Sequence, residues 1–296
     1  MKRIIVTGAK GQLGAELLTI LKSGVSELGN IPEELVGCEL IPVDIDELDI
    51  TNQQAVMSFI CDVNPFAVIN CAALTNVDGC EEKQDLALQV NALGARNLAM
   101  ACEKSGSVLV QISTDYVFSG EGNKPYFEWE LPAPQSVYGG TKRLGEEYVK
   151  GFCSRYFILR TAWLYGYYGN NFVKTIARLA KENGEVKVVN DQRGNPTNAA
   201  DLAFAIVCLL ATQEYGIYHC TGQGECSWYD FACKIVEYYQ INAQIHPCTT
   251  EEFPRPAERP SYSALDHGML RLTIGDVMRP WEDALACFCE KTKSQE

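Results

Sequence analysis

No Cys-x-x-Cys pair occurs in this sequence, its three histidines (His219, His246, His267) stand far apart, and no apolar run approaches the length of a membrane span. The first absence removes the dithiol redox motif and the paired-cysteine zinc site. Histidines without ligand spacing add nothing to such a site, so no metal is expected. The third absence argues against a transmembrane helix. Basic residues are in the minority, with 25 Lys and Arg against 38 Asp and Glu and a formal net charge of −13. Such a field repels nucleic acid and anionic membrane surfaces, and neither is expected as a partner. It does not forbid an anionic small molecule, because a local cluster of donors outweighs a distant field. Internal repeats and low-complexity tracts are also missing. Met1-Lys2-Arg3 runs straight into Ile4-Ile5-Val6, so no leader peptide is expected. The 13 cysteines, odd in number and set among apolar neighbours as in Val207-Cys208-Leu209, read as small buried hydrophobes in a reducing compartment. Cytoplasmic localisation is the expectation.

What the chain does contain is alternation. Short apolar runs at Arg3–Thr7, Leu40–Val43, Ala67–Asn70, Val108–Ile112, Tyr156–Arg160 and Lys187–Val189 read as strands. Segments of helical period at Gly11–Lys22, Asn52–Cys61, Leu86–Lys104, Tyr138–Lys150 and Asn171–Lys181 lie between or beside them. Parallel neighbours need crossover helices, so the order predicts an α/β fold, a doubly wound parallel sheet of Rossmann type covered on both faces. Past residue 190 the pattern loosens: Asn198–Ala211 and Trp228–Gln240 look helical, while Pro247–Ser261 is too rich in proline to continue a helix. Residues 1–165 are expected to form the dinucleotide-binding domain. Residues 166–296 are expected to form mostly a smaller substrate-binding lobe interleaved with the sheet.

Thr7-Gly8-Ala9-Lys10-Gly11-Gln12-Leu13-Gly14 follows the first strand and opens the first helix, with glycines at 8, 11 and 14. A pyrophosphate needs a tight turn, a bare backbone to approach, and the free N–H groups of a helix N-terminus. This turn meets all three needs. After the second strand, an acid accepts hydrogen bonds from the adenosine ribose. Asp44 is the best placed of a run of acids there, and its charge disfavours a 2′-phosphate, so NADH is favoured over NADPH. Asp46 reads more simply as a cap.

Tyr138-Gly139-Gly140-Thr141-Lys142 sets a phenol and an ammonium four residues apart on one helix face. Reducing a carbonyl takes a hydride on carbon and a proton on oxygen. A tyrosine phenol titrates near pH 10, and a nearby cation is expected to lower that value. Upstream, the fourth strand runs into Ser113-Thr114-Asp115, and strand ends in such a sheet lie beside the cofactor. Thr114 is placed there to bond the substrate oxygen.

The motifs TGAKGQLG (7–14), INCAALTNVDGCE (69–81), ISTDYVFSG (112–120), YGGTK (138–142), LRTAWLYG (159–166), NNF (170–172), VVNDQRGNPT (188–197) and RPSYSALD (259–266) stand in this order along almost the whole chain. With them the sequence resembles the extended short-chain dehydrogenase/reductases, and within these the dTDP-4-dehydrorhamnose reductase family. The resemblance implies NAD(P)H-dependent reduction of the C4 ketone of a dTDP-4-dehydro sugar, with Tyr138, Lys142 and Thr114 catalytic. It implies that Gly8, Gly11, Gln12, Leu13 and Gly14 hold the pyrophosphate and that Asp44 meets the ribose. Asp49 and Ile50 would meet the adenine, and Ala73, Leu74 and Thr75 would line the nicotinamide side. Thr114, Asp115, Trp163, Asn171, Arg259 and Tyr262 are implied contacts of the nucleotide sugar, in a monomer or homodimer. Arg259 also reads as a loop residue paired with Glu258 or Glu251, and Trp163 as core packing.

The chain departs from the family at position 140, where a lysine is usual and glycine stands here, and at Leu74, where some members are polar. Two other readings remain: a non-catalytic dinucleotide-binding regulatory subunit, and a nucleotide-sugar epimerase or dehydratase. The first tolerates loss of Tyr138 or Lys142, and both are present. The dehydratase reading wants a second acid after Asp115, where Tyr116 stands.

Overall fold

The computed structural model describes residues 1–294; positions 295 and 296, the end of the expected C-terminal lobe, lie outside the described residues. Six strands form the main sheet: β1 (Arg3–Thr7), β2 (Glu39–Val43), β3 (Ala67–Asn70), β4 (Val108–Thr114), β5 (Tyr156–Thr161) and β6 (Gly216–His219). Their spatial order is β6-β5-β4-β3-β1-β2, and every pair is parallel. The order reverses between β1 and β3, which is where a doubly wound sheet opens its ligand crevice.

The central strands are apolar on both sides because both faces are covered. Alternation along the pleat divides them cleanly: Ile4, Val6, Ile69 and Val110 enter one core, Ile5, Val68 and Leu109 the other. The first core is closed by α1 (Gln12–Ser23) and by a helix from far along the chain, Ala199–Thr212, through Leu13, Leu17, Leu202 and Ile206. The second is closed by α2 (Gln53–Val63) and α3 (Ala95–Ser105), with Val149 of α4 (Val137–Phe152). We number the later helices α5 (Phe172–Asn183), α6 (Ala199–Thr212), α7 (Trp228–Tyr239) and α8 (Trp281–Lys293).

A third core lies beyond β5. Tyr165, Ile176, Phe231, Trp281 and Phe288 pack α5, α7 and α8 together, and the parallel pair Glu185–Val189 with Gln244–Cys248 lies alongside. The strand expected at Lys187–Val189 therefore exists, but it belongs to this small pair and not to the main sheet. The sixth main strand is Gly216–His219, which the sequence reading did not place. Leu86–Lys104, read as one helix, is helical from Gln84 to Ser105 but contains a π-helical stretch at Leu88–Gly94. Among the described residues no helix is long and apolar enough to cross a membrane, and all 13 cysteines are free.

Candidate active site

The glycine turn is built as its spacing predicts. Gly8 has a φ of +62°, a left-handed conformation that favours glycine, and a Cβ there would lie 2.8 Å from the Ala72 nitrogen. A Cβ on Gly14 would lie 2.3 Å from the Gly8 carbonyl oxygen, so only glycine lets α1 approach β1 this closely. Gly11 caps α1 without a side-chain hydrogen bond, and no acid occupies the first turn. The positive end of the helix and its free N–H groups are thus left for an anion, and the cradle fits a pyrophosphate. Gln12 and Leu13 follow Gly11 directly. Asn171 caps α5 by accepting from Lys174 N at 3.1 Å and donates its amide to Gln12 Oε1 at 3.1 Å and Gly166 O at 2.9 Å. Its polar atoms thus engage the glycine turn through Gln12.

At the end of β2, Asp44 accepts the Lys10 N–H at 2.8 Å and so ties the turn to the expected ribose side. Asp49 accepts from Thr51 N and Oγ1 at 2.9 and 2.8 Å, while Ile50 is buried against Gly94 of the π-helical stretch. After β3, Ala73, Leu74 and Thr75 form the loop into the short helix Val77–Glu82. That loop is clamped by Asn91, which bonds the N–H of Leu74 at 2.9 Å and its carbonyl at 3.1 Å. Asn91 also donates to Thr141 Oγ1 at 3.3 Å, joining this loop to α4.

Tyr138 stands in the first turn of α4, whose N-cap is Ser136, accepting from Gly139 N at 3.1 Å. The phenol is buried in a small cluster with Leu74, Val77, Cys80 and Tyr116, and Tyr116 meets it edge-on with ring centroids 5.5 Å apart. The Thr114 hydroxyl lies beside it. Thr114 itself ends β4, donates to Asp115 Oδ1 at 2.9 Å and accepts from Tyr116 N at 3.3 Å. Lys142, also buried, donates from Nζ to Ile112 O at 2.6 Å.

The electrostatics correct one expectation. Burial pushes the Tyr138 phenol well above its ordinary value, and the nearby Thr114 hydroxyl opposes this only in part. Lys142 does not lower it here: its ammonium faces Ile112, and burial lowers its own pKa to about 8 against the pull of Glu146 and Cys71. Asp115 is raised to about 6 by burial, opposed by the hydroxyls of Ser263 and Thr114. Behind these groups lies an ion pair that sequence reasoning missed. Glu146 binds Arg160 through two bonds of 2.9 and 2.8 Å and accepts from Ser113 Oγ at 2.6 Å, all fully buried. It holds β4, β5 and α4 together behind Thr114 and Lys142.

The implied sugar contacts divide by environment. Trp163 has a φ of +47°, costly for a bulky residue, and stacks on Trp228 with centroids 3.6 Å apart. Tyr262 gives its hydroxyl to Glu225. Arg259 pairs neither with Glu258 nor with Glu251: its Nη2 lies 2.8 Å from Asp78 and its Nη1 donates to the Tyr116 hydroxyl at 3.1 Å. Asp78, Glu146 and Asn91 are the site residues that sequence reasoning did not single out.

The family model described as RmlD substrate binding domain matches residues 1–294. The chain belongs to this family. A dTDP-4-dehydrorhamnose reductase of Clostridium acetobutylicum has 48% identity and a TM-score of 0.93, over 98% of this chain and 99% of that one. One from Bacillus anthracis, solved in complex with NADP, has 46% identity and a TM-score of 0.91, over 98% and 100%. The spore coat polysaccharide biosynthesis protein SpsK of Bacillus subtilis is 39% identical over 99% of each chain. As a member of this family the chain is an oxidoreductase with a Rossmann fold.

Proposed function

We propose that this protein catalyses the NAD(P)H-dependent reduction of the C4 ketone of dTDP-4-dehydro-β-L-rhamnose to dTDP-L-rhamnose, the last step of dTDP-rhamnose biosynthesis. The observation that carries this reading is the meeting of Thr114, Tyr138 and Lys142 at the end of the central strand β4, beside the loop Ala73-Leu74-Thr75. Relatives that carry the activity in their names agree with it over nearly their whole length. The dinucleotide, when bound, supplies the hydride.

The chain's own residues do the rest. Gly8, Gly11 and Gly14 with the first turn of α1 take the pyrophosphate, and Asp44, Asp49 and Ile50 take the adenosine side. Thr114 receives the ketone oxygen once its single hydroxyl proton turns from Asp115 Oδ1 toward the substrate. Tyr138, kept protonated by burial, waits until that oxygen becomes an alkoxide and then gives up its proton. Lys142 spends one of its three N–H donors on Ile112, which leaves two for the nicotinamide ribose. Asp115, Trp163 and Tyr262 line the sugar's side, Arg259 meets the diphosphate, and Asn171 supports the pyrophosphate turn through Gln12. NADH is favoured by the charge of Asp44, although the Bacillus anthracis relative was solved with NADP. Free thiols throughout suit a cytoplasmic enzyme.

The test is oxidation of NADH and of NADPH in the presence of dTDP-4-dehydrorhamnose. Tyr138→Phe is expected to lower kcat by about 10²–10⁴-fold, the range of a lost general acid, while the dissociation constant of the cofactor changes little. Near wild-type turnover in that variant would sink the mechanism.

A further inference from the structure

Arg259 is already committed before any anion arrives. Its Nη2 lies 2.8 Å from Asp78 Oδ1, and the same carboxylate accepts the Ala257 N–H at 3.2 Å. Arg255 Nη1 lies 3.7 Å from the other oxygen. One acid therefore gathers two donors from the segment 255–259, with the Arg255 guanidinium close by. That segment forms no helix or strand; it contains Pro256 and is flanked by Pro254 and Pro260. It has no ladder of its own to keep it in place.

The position of Asp78 gives the contact a role. It lies on the short helix Val77–Glu82, which follows the loop Ala73-Leu74-Thr75. On the same helix, Glu81 Oε1 accepts the N–H of Val137, the first residue of α4, at 2.8 Å. One turn of helix thus touches the nicotinamide loop, the helix of Tyr138 and the arginine segment. Arg259 continues the chain of contacts through the Tyr116 hydroxyl, and Tyr116 meets the Tyr138 ring edge-on. A narrow cleft lined by Tyr116, Gln135, Ser136 and Arg259 opens beside the pair.

An exposed ion pair contributes little. This one is about four-fifths buried, with 17% and 22% of the two side chains exposed, and it is reinforced by a backbone N–H. We propose that Asp78 is a positioning residue: its carboxylate docks residues 255–259 so that Arg259 is pre-set to receive the anionic diphosphate of the substrate. This rests on the functional reading above. A guanidinium carries five N–H donors, and Asp78 and Tyr116 leave several of them for phosphate oxygens. Ordering the segment in advance removes that cost from substrate binding, which lowers KM and leaves the chemical step alone.

The experiment has two arms, run on Asp78→Ala and on the milder Asp78→Asn. In the first, amide hydrogen exchange of residues 253–262 is followed without ligand. The segment exchanges about tenfold or more faster in Asp78→Ala, while β4 and α4 keep their protection. Unchanged exchange in the segment overturns the proposal, whatever the substrate proves to be. In the second arm, KM for dTDP-4-dehydrorhamnose rises about tenfold in Asp78→Ala and about threefold in Asp78→Asn, with kcat within about twofold and cofactor affinity unchanged. A fall in KM would show that Asp78 competes with the substrate, and a loss of kcat at constant KM would place it in the chemistry; either overturns the proposal. A wild-type enzyme silent on this substrate, with the exchange difference intact, would refute the proposed reaction and leave the docking role of Asp78 standing.

Discussion

Three ionisable side chains of the candidate site are expected to set the pH range of the proposed reaction. Tyr138 is held protonated well above neutrality by burial, so it does not limit the reaction at ordinary pH. Lys142 is brought down to about 8, and it loses its charge as the pH rises through that value. Asp115 is brought up to about 6 and loses its charge as the pH falls through that value. In the direction of reduction, kcat/KM reports the free enzyme. It is expected to be highest between about 6 and 8, falling on the alkaline side as Lys142 becomes neutral and on the acid side as Asp115 does. Asp115→Asn should remove the acid limb and keep the alkaline one. A profile flat to pH ~10, the ordinary range of a lysine, would show that the charge of Lys142 plays no part.

The helix that carries Tyr138 shows what an element's sequence does and does not disclose. Gly139 is required, because a Cβ there would lie 2.1 Å from the Tyr116 carbonyl oxygen, whereas a Cβ at Gly140 meets nothing within 4 Å. Gly140→Ala is therefore expected to stabilise the protein by about 0.5–1 kcal/mol, through a less flexible unfolded chain and better helix propensity, with kcat unchanged. Urea unfolding at one pH measures it, and a lower midpoint would mean that the helix needs a flexible residue beside Tyr138. Helices and central strands were legible because burial on one or both faces writes its period into local sequence. Gly216–His219 opens on glycine and closes on histidine, so it lacks the apolar run that betrays the equally short Ala67–Asn70. The helix Trp281–Lys293 was missed although Glu282 and Asp283 stand in its first turn and Lys291 and Lys293 in its last. Among the site residues, the glycine turn and the Tyr138–Lys142 pair are local patterns and could be read directly. Asn91, Glu146 and Asp78 could not: each is one polar residue among many, and its meaning comes from a partner that only the folded chain brings near.

At the scale of the whole molecule, the surface joining α1, α6 and α8 concentrates charge. Glu27, from the short antiparallel hairpin between α1 and β2, accepts from Tyr167 Oη at 2.6 Å, Arg279 Nη2 at 2.9 Å and Lys291 Nζ at 2.7 Å. Arg279 also pairs with the buried Asp201 of α6. These bonds hold the Glu27 carboxyl down to about 2 against its burial. Glu16 of α1, 5% exposed, shares the region without a hydrogen-bond partner for Oε2, and burial together with the nearby Glu27 raises it to about 7. A raised carboxyl binds its proton more tightly folded than unfolded. Its contribution is whole below the unfolded value of about 4.3 and is lost as the pH rises through about 7. Glu27 has the opposite sign, and its contribution is lost only as the pH falls below about 4 toward 2. Burial raises Asp201 as well, so Glu16 and Asp201 both make stability decline as the pH rises, Glu16 through about 7. Replacing Glu16 by glutamine keeps the shape and removes its titration. Glu16→Gln should exceed the wild type by more at pH 8 than at pH 5, the gap widening by on the order of 2 kcal/mol, the free energy of a shift of this size after allowance for relaxation. Denaturant unfolding at both pH values decides it: an equal offset at pH 5 and 8 would mean that Glu16 does not change its charge on folding.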